Sequence, residues 1–368
     1  MSNLIIRKLR VEESTTAFIR AARRTPNFGI IDTLHGYLYA RWPYFWISIG
    51  TGRHRLIRLM NFAVNFITNA LLRFPADGPW IDENGLHSRR EQRWFSSRRD
   101  QFSDTYHGKV IRLDAAKQLV SLKQGISLMN LEKVIPYSTA RDLIIENPNR
   151  ILALECPCRA VHPNPCLPLD VCLIMGDPFI NLIAAHYAER SRLIDRSEAI
   201  DILLAEAERG HVHHAFFKEA ELRRFFAICN CCSCCCGAMQ AYRNGVPMLA
   251  SSGYLSSVNQ AACTGCGTCE KLCQFKAIAV VGKNAVVETP ACMGCGVCAA
   301  HCTQQAIQLQ RDPTRSAPLE LDKLIQEHAR SKQKKNDTLL KSKNNQGFSL
   351  SSSSLSSSDS GKSSRKCS

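Results

Sequence analysis

The chain has 368 residues, of which 45% are apolar and 19 are cysteine, and its formal net charge is +15. The length exceeds one domain of about 150 residues, and the apolar content excludes a wholly disordered chain. Eighteen of the cysteines fall between Cys156 and Cys302, and the opening MSNLIIRKLRVEES lacks the apolar run of a secretory signal, so metal-bound thiolates in a reducing, cytoplasmic setting are expected over a disulfide scaffold.

Charge is uneven along the chain. Residues 1–110 carry 17 basic and 9 acidic side chains, residues 111–310 carry 18 and 17, and residues 311–368 carry 12 and 6. The basic ends read as solvated surface that could also meet a partner. No nucleic-acid partner is expected, because finger-type Cys/His spacing and ribonucleoprotein aromatics are both missing. No transmembrane span is expected either. The best stretch, Leu56 to Leu72, is interrupted by Arg58, Asn61, Asn65 and Asn69, which form one polar stripe of a helix. It reads as a core helix. Peripheral membrane contact is the alternative, aided by Arg53, Arg55, Arg73 and the aromatic stretch from Tyr37 to Trp46.

The fold class expected is α+β, with mainly helical N-terminal and middle regions. Residues 1–125 form a helical region with no motif that carries chemistry. Residues 126–255 form a cysteine-rich domain. Within it, a helix is expected over Tyr137–Glu146, a strand over Ile151–Leu154, and a loop from Glu155 to Gly176 stiffened by Pro157, Pro163, Pro165 and Pro168. A helix follows over Asp195–Arg209, with Asp195 and Glu198 as a capping box and Gly210 as its stop. Another is expected over Ala215–Phe226. His211, His213 and His214 then fall in a helix-terminal turn, facing solvent or the helix end rather than a metal. Residues 256–312 hold an internal repeat. Residues 313–368 form a basic, Ser/Lys-rich tail, largely disordered from about Ser331, with Cys367 as a spectator.

The repeat carries the chemistry. ACTGCGTCEKLCQFKAIAV at 262–280 recurs 29 residues later as ACMGCGVCAAHCTQQAIQL at 291–309, each copy with C-x2-C-x2-C-x3-C. Such short spacing lets three thiolates from one loop reach three irons of a cubane. Gly265, Gly267, Gly294 and Gly296 let the loop curl, one helical turn is expected near each fourth cysteine, and a hairpin around Lys283-Asn284 should join the halves. These residues resemble the bacterial-type ferredoxin that carries two [4Fe–4S] clusters in a pseudo-two-fold (βαβ)2 domain. The resemblance implies crossed ligation. Cys263, Cys266, Cys269 and Cys302 would hold one cluster, and Cys292, Cys295, Cys298 and Cys273 the other. The family's proline after each fourth cysteine is replaced by Gln274 and Thr303.

Ten more cysteines lie upstream: Cys156, Cys158, Cys166 and Cys172, then Cys229, Cys231, Cys232, Cys234, Cys235 and Cys236. They are candidate ligands of a further site, an additional iron–sulfur cluster with zinc as the alternative. Arg159 is placed to donate hydrogen bonds to it. If the second group is helical, Cys231 with Cys235 and Cys232 with Cys236 share faces. Together with the repeat, these motifs resemble multi-cluster iron–sulfur proteins of anaerobic bacteria. The function expected is single-electron relay, as a carrier or oxidoreductase subunit working with redox partner proteins rather than a stand-alone enzyme. An upstream catalytic metal site and a redox sensor are the alternatives. No P-loop, GxGxxG or Ser-His-Asp order is present.

Overall fold

The computed structural model describes residues 12–55, 103–331 and 333. The expected core helix at Leu56–Leu72 and the tail beyond residue 333 lie outside them. The chain divides into two units, Met1–Leu319 and Glu320–Ser368. In the second, residues 321–331 form a helix, within the stretch whose composition reads as a tail.

The first unit is built on a seven-stranded sheet. In chain order its strands are β1 (Tyr106–Ile111), β4 (Ile151–Leu154), β5 (Cys172–Met175), β6 (Ser191–Ile194), β7 (Val212–Lys218), β8 (Arg224–Cys231) and β9 (Leu249–Ala250). A two-stranded pair, β2 (Ile126–Leu128) and β3 (Leu143–Ile145), stands apart. The sheet order is β6-β4-β5-β8-β7-β1-β9, antiparallel throughout except between β1 and β9. Every residue of β4, β5 and β7 is buried, because helices and loops cover both faces. Among the described residues, the helices α1 (Glu13–Arg24), α2 (Ile30–Arg41) and α3 (Pro43–Gly50) precede the sheet. The helices between strands are α4 (Leu113–Val120), the short α5 (Pro157–Ala160), α6 (Phe179–His186), α7 (Arg196–Glu208) and α8 (Gly237–Arg243).

Several local expectations hold. The Asp195 side chain accepts a hydrogen bond from the Glu198 N–H at 2.9 Å and caps α7, and Gly210 stops it at φ +77°. Strand β4 occupies the residues read as a strand. Others need correction. The middle region, expected to be mainly helical, is organised by the sheet. The segment read as a helix over Ala215–Phe226 is the hairpin of β7 and β8, turning through Leu222 and Arg223 at positive φ. A strand buried on both faces shows no period-two alternation, so HHAFFK carries no strand signature. The segment read as a helix over Tyr137–Glu146 is a turn, with Ala140 at φ +51°, leading into β3.

The repeat region contains α9 (Thr268–Leu272), β11 (Ile278–Val281), β12 (Asn284–Val287) and α10 (Val297–Ala300), between the paired strands β10 (Tyr254–Val258) and β13 (Ile307–Arg311). Strands β11 and β12 make the expected hairpin. The two helical turns differ from expectation, since each ends before the fourth cysteine instead of starting there.

Candidate metal centres

In the repeat, Gly267 and Gly296 start α9 and α10 from left-handed φ values of +77° and +88°. Gly265 and Gly294 are demanded by close approach: a Cβ would lie 2.6 Å from the Lys283 carbonyl oxygen and 2.1 Å from that of Tyr254. The two halves also treat their fourth cysteines alike. Ala277 N–H donates to Cys273 Sγ at 3.2 Å, and Ala306 N–H donates to Cys302 Sγ at 3.3 Å. Cys263 Sγ accepts from Ala285 N–H at 3.3 Å, and Ser256 Oγ lies 3.1 Å from Cys298 Sγ. Donors aimed at sulfur favour the thiolate that iron requires.

A cavity of about 20 Å3 in this region is lined by Cys273 together with Cys292, Cys295 and Cys298. Cys263, Cys269, Cys273, Cys298 and Cys302 share one apolar cluster with Ile278, Ala285 and Ile307. Cys266 is exposed at the surface. Burial pushes the Cys295 thiol up to about 12 and the Cys298 thiol up to about 11, so these sulfurs need a cation to ionise at neutral pH.

The ten upstream cysteines separate into two sets. Cys166, Cys232, Cys234 and Cys235 place their sulfurs all within 4.8 Å of one another. The other six, Cys156, Cys158, Cys172, Cys229, Cys231 and Cys236, all line a mainly apolar cavity of about 410 Å3, whose wall Cys232 and Cys235 of the first set also reach. Strand register explains much of this. Cys172 on β5 pairs directly with Cys229 on β8, their sulfurs 3.8 Å apart. Cys229 and Cys231 fall on one face of β8 by its two-residue period. Past the strand the chain turns, and Cys236 Sγ returns to within 3.3 Å of Cys231 Sγ. The cysteine run is therefore a strand end followed by a turn, and the helical face-sharing expected for it does not occur. Cys158, on α5, receives the Gly237 N–H at 3.4 Å. A hydrogen bond with Cys158, and burial, raise Cys156 to about 12; for Cys231 a hydrogen bond with Cys236 lowers the value and burial reverses this, to about 12.

A protein-family model for the 4Fe-4S binding domain matches residues 257–279. The chain carries a 4Fe-4S binding domain. The match spans Cys263, Cys266, Cys269 and Cys273, and the surrounding donors suit the group: thiolates, backbone N–H groups aimed at sulfur, and glycines whose Cβ would collide. Neither a curated protein nor a solved structure matches the chain.

The residues that hold the upstream cysteines in place were mostly invisible in the sequence. Arg53, just after α3, donates to the carbonyls of Cys158 at 3.2 Å, Cys235 at 2.9 Å and Cys234 at 3.4 Å. Arg159 lines the cysteine cavity, with its Nε buried and unpartnered, but no hydrogen bond from it reaches a cysteine sulfur. Its guanidinium is 1% exposed and pairs with the fully buried Glu206, while also contacting His211 Nδ1 at 3.1 Å and the Asn230 carbonyl at 3.0 Å. Burial raises Glu206, but hydrogen bonds from His211 and Arg159 outweigh it and hold the carboxyl below its usual range. Of the three histidines, His211 stays in the turn that ends α7, buried against Glu206, and the other two are in the sheet. His213 and His214 lie on β7, His213 Nδ1 2.6 Å from Asn230 Oδ1. His214 is fully buried, with no partner in hydrogen-bond geometry for either ring nitrogen, and burial lowers it to about 3.

The repeat packs directly on the sheet. One apolar cluster contains Val212, Phe216, Cys231, Cys236 and Met239 from the sheet side, and Met293 and Val297 from the repeat, with Leu272, Phe275 and Cys295 packed against it. Gln274, directly after Cys273, accepts from Ser233 N–H at 2.7 Å and donates to the Gly210 carbonyl at 3.0 Å. Its side chain is therefore a clamp between the repeat and the upstream cysteine turn.

Proposed function

We propose that the chain is an iron–sulfur electron-transfer protein or oxidoreductase subunit with two [4Fe–4S] clusters in a ferredoxin-like C-terminal region and a further cluster in the six-cysteine cavity. Cys263, Cys266, Cys269 and Cys302 hold one cluster, and Cys292, Cys295, Cys298 and Cys273 hold the other. The small cavity that collects Cys273 with the three second-loop cysteines supports the crossed set. Bound clusters supply one-electron chemistry, which the polypeptide tunes by burial and N–H···S hydrogen bonds.

The observation that carries the relay is the single apolar cluster running from Cys231 and Cys236 to Met293 and Cys295. It packs the upstream cavity against the second loop of the repeat and keeps water from between them. The first loop, with Cys266 exposed, is then the side open to a redox partner protein. Among the described residues, no helix is long and apolar enough to cross a membrane.

The test is anaerobic purification of the full chain with iron and sulfide counts and EPR of the reduced protein. About twelve irons, at ~4 per cubane, with magnetically interacting signals support the relay. Eight irons or fewer would leave the upstream cavity without a cluster.

The cavity's lining favours a second reading, an oxidoreductase. Beside its cysteines, the walls include Tyr39, Tyr106 and the buried Lys218, polar groups that a small ligand could meet. A change in the reduced spectrum on adding small thiols would favour this reading over simple relay.

A further inference from the structure

Close pairs of sulfurs occur in both upstream sets, as Cys172–Cys229 and Cys231–Cys236 show, but among the described residues four sulfurs converge on one point in only one of them, and convergence separates one kind of metal site from another. An ion bound tetrahedrally by four thiolates at about 2.3 Å sets those sulfurs about 3.8 Å apart. A cubane pushes its four cysteine sulfurs roughly 6 Å apart, because each thiolate binds a different iron. In the set Cys166, Cys232, Cys234 and Cys235, all four sulfurs lie within 4.8 Å of one another. Cys234 Sγ is 3.1 Å from Cys166 Sγ and 3.7 Å from Cys235 Sγ. Among the described residues, no cysteines of the repeat gather this tightly.

We propose that Cys166, Cys232, Cys234 and Cys235 hold a single zinc ion in a closed structural site, separate from the iron of the chain. Four sulfur donors complete a tetrahedron and leave no position for water or substrate, which marks a structural rather than a catalytic zinc. Zinc is chosen over iron on two grounds. Thiolate sites bind Zn2+ more tightly than Fe2+ along the divalent series. Cys234 is exposed, where a redox-active ion would meet solvent, and zinc has no redox chemistry.

The local chain suits the role. Three ligands come from the turn that follows β8, and the fourth from the proline-rich loop after α5. Cys166 N–H donates to Cys235 Sγ at 3.5 Å, so the loop is already aimed at the turn. Arg53 holds the carbonyls of Cys234 and Cys235 from the other side. Cys232 and Cys235 also line the six-cysteine cavity, and Cys236 follows directly. The ion therefore lies beside the proposed iron site without joining it.

The experiment is metal analysis of the full-length protein, wild type against the double variant Cys166→Ser/Cys234→Ser, purified without oxygen and without added zinc. The expected result is about one zinc per wild-type chain, its loss in the variant, and unchanged iron. Wild-type protein lacking zinc, a variant that keeps it, or a variant that loses about four irons would overturn the assignment. Should the variant fail to fold, Co(II) exchanged into the wild type decides. The visible absorption of tetrahedral cobalt thiolate supports the site, and its absence overturns it. A failed upstream iron count bears on the relay alone, because zinc and iron are measured separately.

Discussion

The repeat and the upstream domain both gather cysteines, by opposite means. The repeat draws three sulfurs from one tight loop, so sequence spacing nearly determines the site. The upstream domain collects its six-sulfur cavity from strand β5, the start of α5, the end of β8 and the turn beyond it. There the sheet is the scaffold, and ligand geometry is only as good as strand register and the polar clamps that hold the loops. A loop-encoded site should tolerate damage to the fold around it. A sheet-encoded site should not.

The largest expected effects are losses of whole clusters. Cys302→Ala should remove chiefly the cluster of the first loop and Cys273→Ala chiefly that of the second, each about four irons by count and EPR. If each change emptied its own repeat instead, the crossed assignment would be wrong. Cys236→Ser should strip iron from the upstream cavity and spare the repeat; loss of all iron would show that the two regions are not independent.

Next comes Glu206→Gln. It leaves the Arg159 guanidinium buried without its carboxylate, which typically costs about 3–5 kcal/mol. Denaturant unfolding should report that loss, and the upstream iron should fall while the repeat keeps its own. Equal iron loss from both would erase the contrast between them.

His214 gives a smaller, pH-dependent effect. Its folded pKa of about 3 lies below the ordinary 6.5, so the folded state refuses a proton that the unfolded chain accepts. Its contribution is complete above pH 6.5 and is lost as pH falls toward 3. Against His214→Phe, the wild type should lose about 2 kcal/mol of stability between pH 7 and pH 5. Parallel pH profiles for the two proteins would contradict this. Smallest of all, Gln274→Ala should cost about 1–2 kcal/mol through two lost hydrogen bonds, with iron content kept.

What the sequence made legible follows the same division. The C-x2-C-x2-C-x3-C spacing marked the 4Fe-4S binding domain, and Lys283-Asn284 marked the hairpin, because both signals are local. The capping box at Asp195 was equally local. The central hairpin was not, since burial of both faces of β7 removed the alternation that distinguishes strand from helix. The sorting of ten cysteines into four and six depends on Cys172 meeting Cys229 across a sheet, and no spacing rule encodes that pairing. In the sequence Arg53 is one positive charge near a polar-striped segment; its partners, three backbone carbonyls, leave no trace in composition.

Arg53 has a consequence for how the apo and loaded proteins differ. Its one guanidinium holds carbonyls from both cysteine sets and tethers the end of α3 to them, with Tyr44 Oη adding a 3.0 Å bond to the Glu155 carbonyl. Docking of the N-terminal helices and occupancy of the proposed metal sites would therefore stabilise a common arrangement of the loops, each strengthening the other. Depleting the metal should loosen the N-terminal segment, so that a protease cutting after arginine releases residues before Arg53 faster from the apo protein than from the loaded one. The helices, which carry no ligand themselves, would then act as a readout of whether the sites are filled.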